Sequence, residues 1–182
     1  MFVLQVTKEI SLRLLSGHDA ENLFQVIDRS RHHLRKWLPW VDATKTVNDS
    51  RSFIEGSLEM YNNETGLTTG IFYNNKLVGV AGFNTFDWKN KIGYIGYWLS
   101  ADWQGHGIMT RVVRTLIDYA FIELNLNRID IRAAYENKRS RAIPERLGFK
   151  KEGHLRDAEK LNNQYVDHII YGMLASEWPA KK

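Results

Sequence analysis

The chain has 182 residues, with 43% apolar and 25% charged side chains. That is ordinary composition for a folded protein able to bury a core, and not for a disordered one. A formal net charge of +4 fits an anionic ligand better than a cationic one, and the absence of cysteine excludes disulfides, thiolate metal sites and a cysteine nucleophile.

Val3 to Leu14 alternates loosely and predicts a strand. Asp19 then suits a helix cap ahead of Leu23, Val26 and Ile27, which share one helical face. The run "RSRHHLRKWLPW", Arg29 to Trp40, interleaves bases and aromatics. Nucleic-acid binders do this, but a solvated helix end with buried tryptophans is the preferred reading, so nucleic acid is not expected as a partner. A second helix is predicted over Asn48 to Tyr61. Strands follow at Leu67 to Tyr73 and Lys76 to Phe83, joined by Asn74-Asn75, two residues that tolerate positive φ and mark a tight hairpin. Ile92 to Leu99 reads as a central strand, apolar on both faces.

Met109, Val112, Val113, Leu116, Ile117, Ala120, Phe121 and Leu124 then keep helical spacing. Arg128 to Ala133 alternates as a strand. Ser140 to Leu147 predicts a short helix stopped by Gly148, and two last strands lie around Lys150 to Leu155 and Tyr165 to Leu174, flanking Asn162-Asn163. The order is β-α-α-β-β-β-α-β-α-β-β, an α/β (α+β) fold with a mixed sheet. Without a repeat or a low-complexity linker, residues 1–182 are expected to form one domain. No stretch is apolar for long enough to span a bilayer and no secretory cleavage pattern opens the chain, so a cytoplasmic protein without a membrane partner is expected. The six histidines are scattered apart from His32-His33, and no metal is expected.

"QGHGIMT", Gln104 to Thr110, sits where the central strand hands over to the clearest helix. Its glycines could simply permit a tight turn. A dinucleotide fingerprint fails, because Thr110 occupies the third glycine position and the motif lies mid-chain. The remaining account is an anion cradle: the first amides of a helix lack intrahelical partners, and glycine lets a phosphate reach them. No P-loop lysine follows, so a pyrophosphate held by amides without metal fits better than a hydrolysed triphosphate.

Gln104-x-x-Gly107 opening an amphipathic helix after an apolar strand resembles the coenzyme A signature of the GNAT acyltransferases. Met109 departs from the small residue usual there, as in the variant found in Rim-type ribosomal-protein N-terminal acetyltransferases. "ENKRSRAIPERLGFKKEGHLRDA" and "NNQYVDHIIYGML" resemble two later blocks of that group, in the same order. The resemblance implies a mostly antiparallel sheet of about seven strands flanked by helices, with a splayed strand pair at the cofactor site. It implies acetyl-CoA as cofactor, its pyrophosphate on the amides of Gly105, His106, Gly107, Ile108, Met109 and Thr110 beside Gln104. Trp98, Leu99 and Ser100 would flank the pantetheine arm, and Asn137 would contact the cofactor from the far side of the splay.

Ser140 matches a hydroxyl position near the thioester sulfur, a candidate proton donor to the leaving thiolate; it could equally cap the following helix. Pro144 is unusual inside that helix and could distort its first turn. With no thiol for an acyl-enzyme, direct attack by an amine is favoured, with the Leu99 amide as oxyanion donor. Glu159 matches an acidic position proposed as base, His168 is a second candidate, and either could be structural. Trp37, Pro39 and Trp40 fall where the family shapes its acceptor groove. The implied acceptor is the N-terminal α-amine of a ribosomal protein. A small amine (a polyamine or drug) and a non-catalytic coenzyme A sensor are the alternatives, and a homodimer or higher homo-oligomer is implied by the resemblance alone.

Overall fold

The computed structural model describes residues 1–179. Eight strands form one sheet: β1 (Val3–Gln5), β2 (Ile10–Leu14), β3 (Leu67–Tyr73), β4 (Lys76–Asp87), β5 (Ile92–Leu99), β6 (Arg128–Ala134), β7 (Lys150–Leu161) and β8 (Gln164–Leu174). Their spatial order is β1-β2-β3-β4-β5-β6-β8-β7. Every pairing is antiparallel except β5 with β6. The helices are α1 (Ala20–Arg29), α2 (Arg31–Leu34), α3 (Val47–Asn62), α4 (Ile108–Ile122) and α5 (Lys138–Arg146).

The count is eight strands and not about seven because Val3 to Leu14 is two strands. Thr7 Oγ1 accepts from the Glu9 and Ile10 amides at 3.2 and 3.1 Å, so the polar Thr7-Lys8-Glu9 triplet turns the chain back on itself. Both Asn-Asn pairs make the expected hairpins, with φ of 46° and 65° at Asn74 and Asn75 and 51° and 61° at Asn162 and Asn163. The last hairpin runs further than its apolar pattern: β7 reaches Leu161 as an exposed edge strand with register shifts at Lys151/Gly153 and Leu155/Glu159.

α4 buries Ile108, Met109, Val112, Val113, Leu116, Ile117 and Ala120, the face read from its spacing. Each large side chain so buried contributes roughly 1.5–3 kcal/mol. One core cluster joins the sheet to α4 and α5, through Ile71, Phe83, Ile129, Leu116, Ile143 and Tyr171 among others. A second joins it to α1 and α3, through Leu23, Ile27, Ile54, Phe72 and Val80. Val78 and Ala81 belong to the first and Leu77 and Val80 to the second, so β4 is packed on both faces.

Candidate active site

β5 and β6 are hydrogen-bonded only from Ile92↔Arg128 to Ile95↔Ile131. Beyond that point β6 stays with β8 as far as Ala134↔His168, and β5 stays with β4 as far as Leu99↔Gly79. The ladder between Gly96–Leu99 and Arg132–Ala134 is therefore open. Ser100 N–H donates to Val78 O on β4 at 2.9 Å. Because successive residues of a strand turn their polar groups to opposite sides, the Leu99 N–H and carbonyl face the open edge.

A cleft of about 970 Å³ lies at this splay. One wall is the glycine turn. Gly105 and Gly107 have φ of 78° and 70°, and Gly107 caps α4 without any side-chain cap. A Cβ built on either glycine meets no heavy atom within 4 Å. The first intrahelical bond, Arg111 N–H to Gly107 O at 3.4 Å, leaves the amides of Ile108, Met109 and Thr110 without helical acceptors. Met109 is 7% exposed and turned into the core, so the bulky residue in the motif offers the turn only its amide. Lys36, Arg111, Lys138, Arg139 and Arg146 line the cleft against one acid, Glu136. Free amides, the positive end of a helix and this cation excess fit a pyrophosphate group. Among the described residues no cluster of three or more His, Asp or Glu side chains could hold a metal.

Gln104 spans the cleft. Its Nε2 donates to Leu99 O at 3.2 Å and meets His33 Nε2 at 2.5 Å, while its Oε1 accepts from Arg139 Nη1 at 2.5 Å. Burial first, then Arg139, Lys36 and His32, push the His33 imidazole below the usual histidine range.

On the opposite wall Asn137, not Ser140, is the N-cap of α5: its Oδ1 accepts from the Ser140 N–H at 3.3 Å. Ser140 sits in the first turn, at the cleft. Pro144 has no amide to return to the carbonyl four residues back, which is that of Ser140. The Tyr97 hydroxyl, reaching across from β5, donates to that carbonyl at 2.9 Å. Burial pushes the Tyr97 phenol well above its usual range, so it remains a donor at any ordinary pH. No local signal marks this link: Pro144 and Ser140 stand out in the sequence, but they are joined through Tyr97, 43 positions from Ser140.

Of the residues expected to touch the cofactor, Trp98, Leu99, Gln104, Gly105, Gly107, Ile108, Met109, Thr110 and Asn137 line the cleft; Ser100 and His106 do not. Trp37 and Leu38 line it from the acceptor side. Trp40 lies outside, its ring 6.0 Å from that of Trp98. Glu159 and His168 are also outside the lining, yet they face each other, Oε1 to Nε2 at 3.5 Å. The tip of the β7–β8 hairpin is fastened to the acceptor side by Asn162 Nδ2 donating to Arg35 O at 3.1 Å.

Residues 9–150 match the family model for an acetyltransferase (GNAT) domain. The chain belongs to the GNAT acetyltransferase family. It is 37% identical, over all of both chains, to YdaF of Bacillus subtilis (strain 168), provisionally named a ribosomal N-acetyltransferase. The ribosomal-protein-serine acetyltransferase of Escherichia coli (strain K12) is 29% identical over 94% of this chain and 96% of its own. Among solved structures, RimL, a ribosomal L7/L12 α-N-protein acetyltransferase in complex with coenzyme A, superposes with a TM-score of 0.92 at 27% identity, covering 95% of this chain and 98% of its own. The microcin C7 self-immunity acetyltransferase MccE, in complex with acetyl-CoA and AMP, does so with a TM-score of 0.90 at 37% identity, covering 94% and 95%. In this GNAT chain the splayed pair of strands implied by the resemblance is present, and the mixed, mostly antiparallel sheet carries one strand more than expected.

Proposed function

We propose that this chain is a cytoplasmic N-acetyltransferase that moves the acetyl group of acetyl-CoA to a primary amine, the N-terminal α-amine of a ribosomal protein. Residues 1–182 act as one acyltransferase domain in this reading, which the continuous sheet from Val3 to Leu174 supports. The observation that carries it is the open β5 edge beside an uncapped, glycine-lined helix start in a cationic cleft. Relatives named for ribosomal proteins support the acceptor class. The homo-oligomer remains a proposal from family likeness.

Acetyl-CoA supplies an activated thioester carbonyl. The amides of Gly105, Gly107, Ile108, Met109 and Thr110 hold the pyrophosphate, Trp98 and Leu99 flank the arm, and Asn137 steadies the far wall. Leu99 N–H, facing the open edge, stabilises the oxygen on which negative charge develops. As the amine nitrogen bonds to the carbonyl carbon and the carbon–sulfur bond breaks, the Ser140 hydroxyl gives a proton to the departing sulfur and regains one from water. The amine's surplus proton passes to Glu159, held beside His168. Trp37 and Trp40 shape the approach of the peptide end. An α-amine titrates near about 8 against about 10.4 for lysine, so it arrives neutral with the lesser assistance.

Acetylation of a small amine is a second reading, favoured by the AMP bound to the MccE neighbour. Thiol release from acetyl-CoA, screened against peptides with N-terminal serine or alanine, amine-bearing nucleotides and polyamines, separates the two readings. Turnover confined to non-peptide amines would remove the ribosomal-protein acceptor. Turnover of Glu159→Gln with an unaltered rate and pH profile would remove the base.

A further inference from the structure

Helix α2 is four residues long, too short to hold its own shape, so its position depends on tertiary anchors. It leads into the acceptor wall through Trp37 N–H and Leu38 N–H, which donate to Leu34 O at 3.1 and 3.0 Å. Two hydrogen bonds tie this segment to the cofactor turn. Ala101 N–H donates to Ser30 Oγ at 3.1 Å, where α1 gives way to α2. Gln104, next to the glycines, meets His33 at 2.5 Å.

We propose that His33 is a positioning residue that couples the cofactor turn to the acceptor wall, so that coenzyme A binding orders α2 and Trp37–Trp40. The proposal rests on the acetyltransferase reading. Gly105 and Gly107 lack a Cβ and hold φ of 78° and 70°, a backbone with wide conformational choice, and an anion on the neighbouring amides restrains it together with Gln104. Gln104 has no rotational choice left. Its Oε1 is held by Arg139 and one Nε2 hydrogen by Leu99 O, so the other Nε2 hydrogen points at His33. His33 Nε2 is then the acceptor, in a neutral ring with its proton on Nδ1. Restraint at the pyrophosphate therefore passes through one side-chain pair to Leu34, and from there to Trp37 and Leu38.

This bridge is sensitive to protonation, because a protonated His33 would set N–H against N–H. The charged groups around it are Arg139 from α5 and Lys36 and His32 from its own segment, with Glu136 the acid on the cleft. Burial first, then Arg139, Lys36 and His32, hold its titration below the usual histidine range. The coupling is thus complete at neutral pH and disappears as the pH falls through that lowered value.

The test is hydrogen–deuterium exchange of residues 31–40 with and without saturating coenzyme A, corrected for intrinsic rates, with calorimetry confirming occupancy. One hydrogen bond corresponds to about a three- to tenfold slowing. Wild type is expected to show it at about pH 7.5 and to lose it at a second, acidic pH chosen below the measured His33 titration. His33→Ala is expected to bind coenzyme A without the slowing. His33→Gln, whose amide oxygen can accept but does not titrate, is expected to show it at both pH values. Wild-type slowing in a loaded His33→Ala protein, or no slowing in loaded wild type, would overturn the coupling and leave the acetyltransferase reading standing. Failure of folded wild type to bind coenzyme A would overturn that reading and this one with it. If His33→Ala does not fold, the pH contrast between wild type and His33→Gln decides alone: equal responses refute the coupling.

Discussion

Replacing Tyr97 with phenylalanine keeps the ring and removes one hydroxyl. The Ser140 carbonyl then loses its donor from β5 and, because residue 144 is proline, has no helical amide to replace it. An orphaned buried acceptor costs about 1–3 kcal/mol, and the cleft beside Ser140 admits some water, so we expect about 1–2 kcal/mol. For a chain of this size that lowers Tm by roughly 3–6 °C. Pro144→Ala in the Tyr97→Phe background returns an amide to the same carbonyl and should recover about 1 kcal/mol. In the wild-type background, where Tyr97 already fills the carbonyl, it should recover nothing. Chemical denaturation of the four proteins measures the coupling as a double-mutant cycle. Additive effects would refute the shared carbonyl and, with it, the account of how Ser140 is aimed.

Gly107→Ala and Gly148→Ala place a side chain at similar left-handed φ, 70° and 82°, and each should cost about 1–2 kcal/mol of stability. Only the first borders the cleft, and calorimetry should find acetyl-CoA affinity reduced at least about tenfold there and unchanged in the second. Ser140→Ala should lower kcat on the order of 100-fold with acetyl-CoA affinity nearly intact; an unchanged kcat would remove its acid role. Burial raises the Asp19 carboxyl, but two 2.9 Å bonds from Arg13 and the Ser16 amide at 2.8 Å outweigh it, so its titration lies below the usual carboxylate range. Its contribution is present above that range and lost as the pH falls through the lowered value. Asp19→Asn should cost about 1 kcal/mol at neutral pH, screened by the partly exposed Arg13, and progressively less under acid. An equal cost at both pH values in denaturant titrations would contradict that linkage.

The parts of the fold visible in the sequence were those set by local chemistry. The spacing from Met109 to Ala120 marked α4, and two Asn-Asn pairs marked hairpins because asparagine tolerates positive φ at little cost. The turn after Gln5 leaves no mark in the pattern, because Thr7 makes it with a side-chain bond that leaves the alternation almost undisturbed. β7 beyond Leu155 carries no apolar alternation, because an edge strand needs no apolar face. At the site, the glycine turn is legible from helix-start amides that lack partners beside glycine, whereas Asn137 and Ser140 rest on motif resemblance. Tyr97, His33 and Arg139 could not be read in advance, since their partners lie 35 to 71 positions away in sequence.

Acetyl transfer to an α-amine can be observed directly. Purified protein should be mixed with acetyl-CoA and a serine-initiated peptide that also contains lysine, with thiol release followed and the product fragmented by mass spectrometry. Acetyl transfer to an α-amine predicts one free thiol per peptide and the acetyl group on the N-terminal nitrogen. Acetyl found only on the lysine side chain, or no thiol release by protein that binds acetyl-CoA, would contradict it.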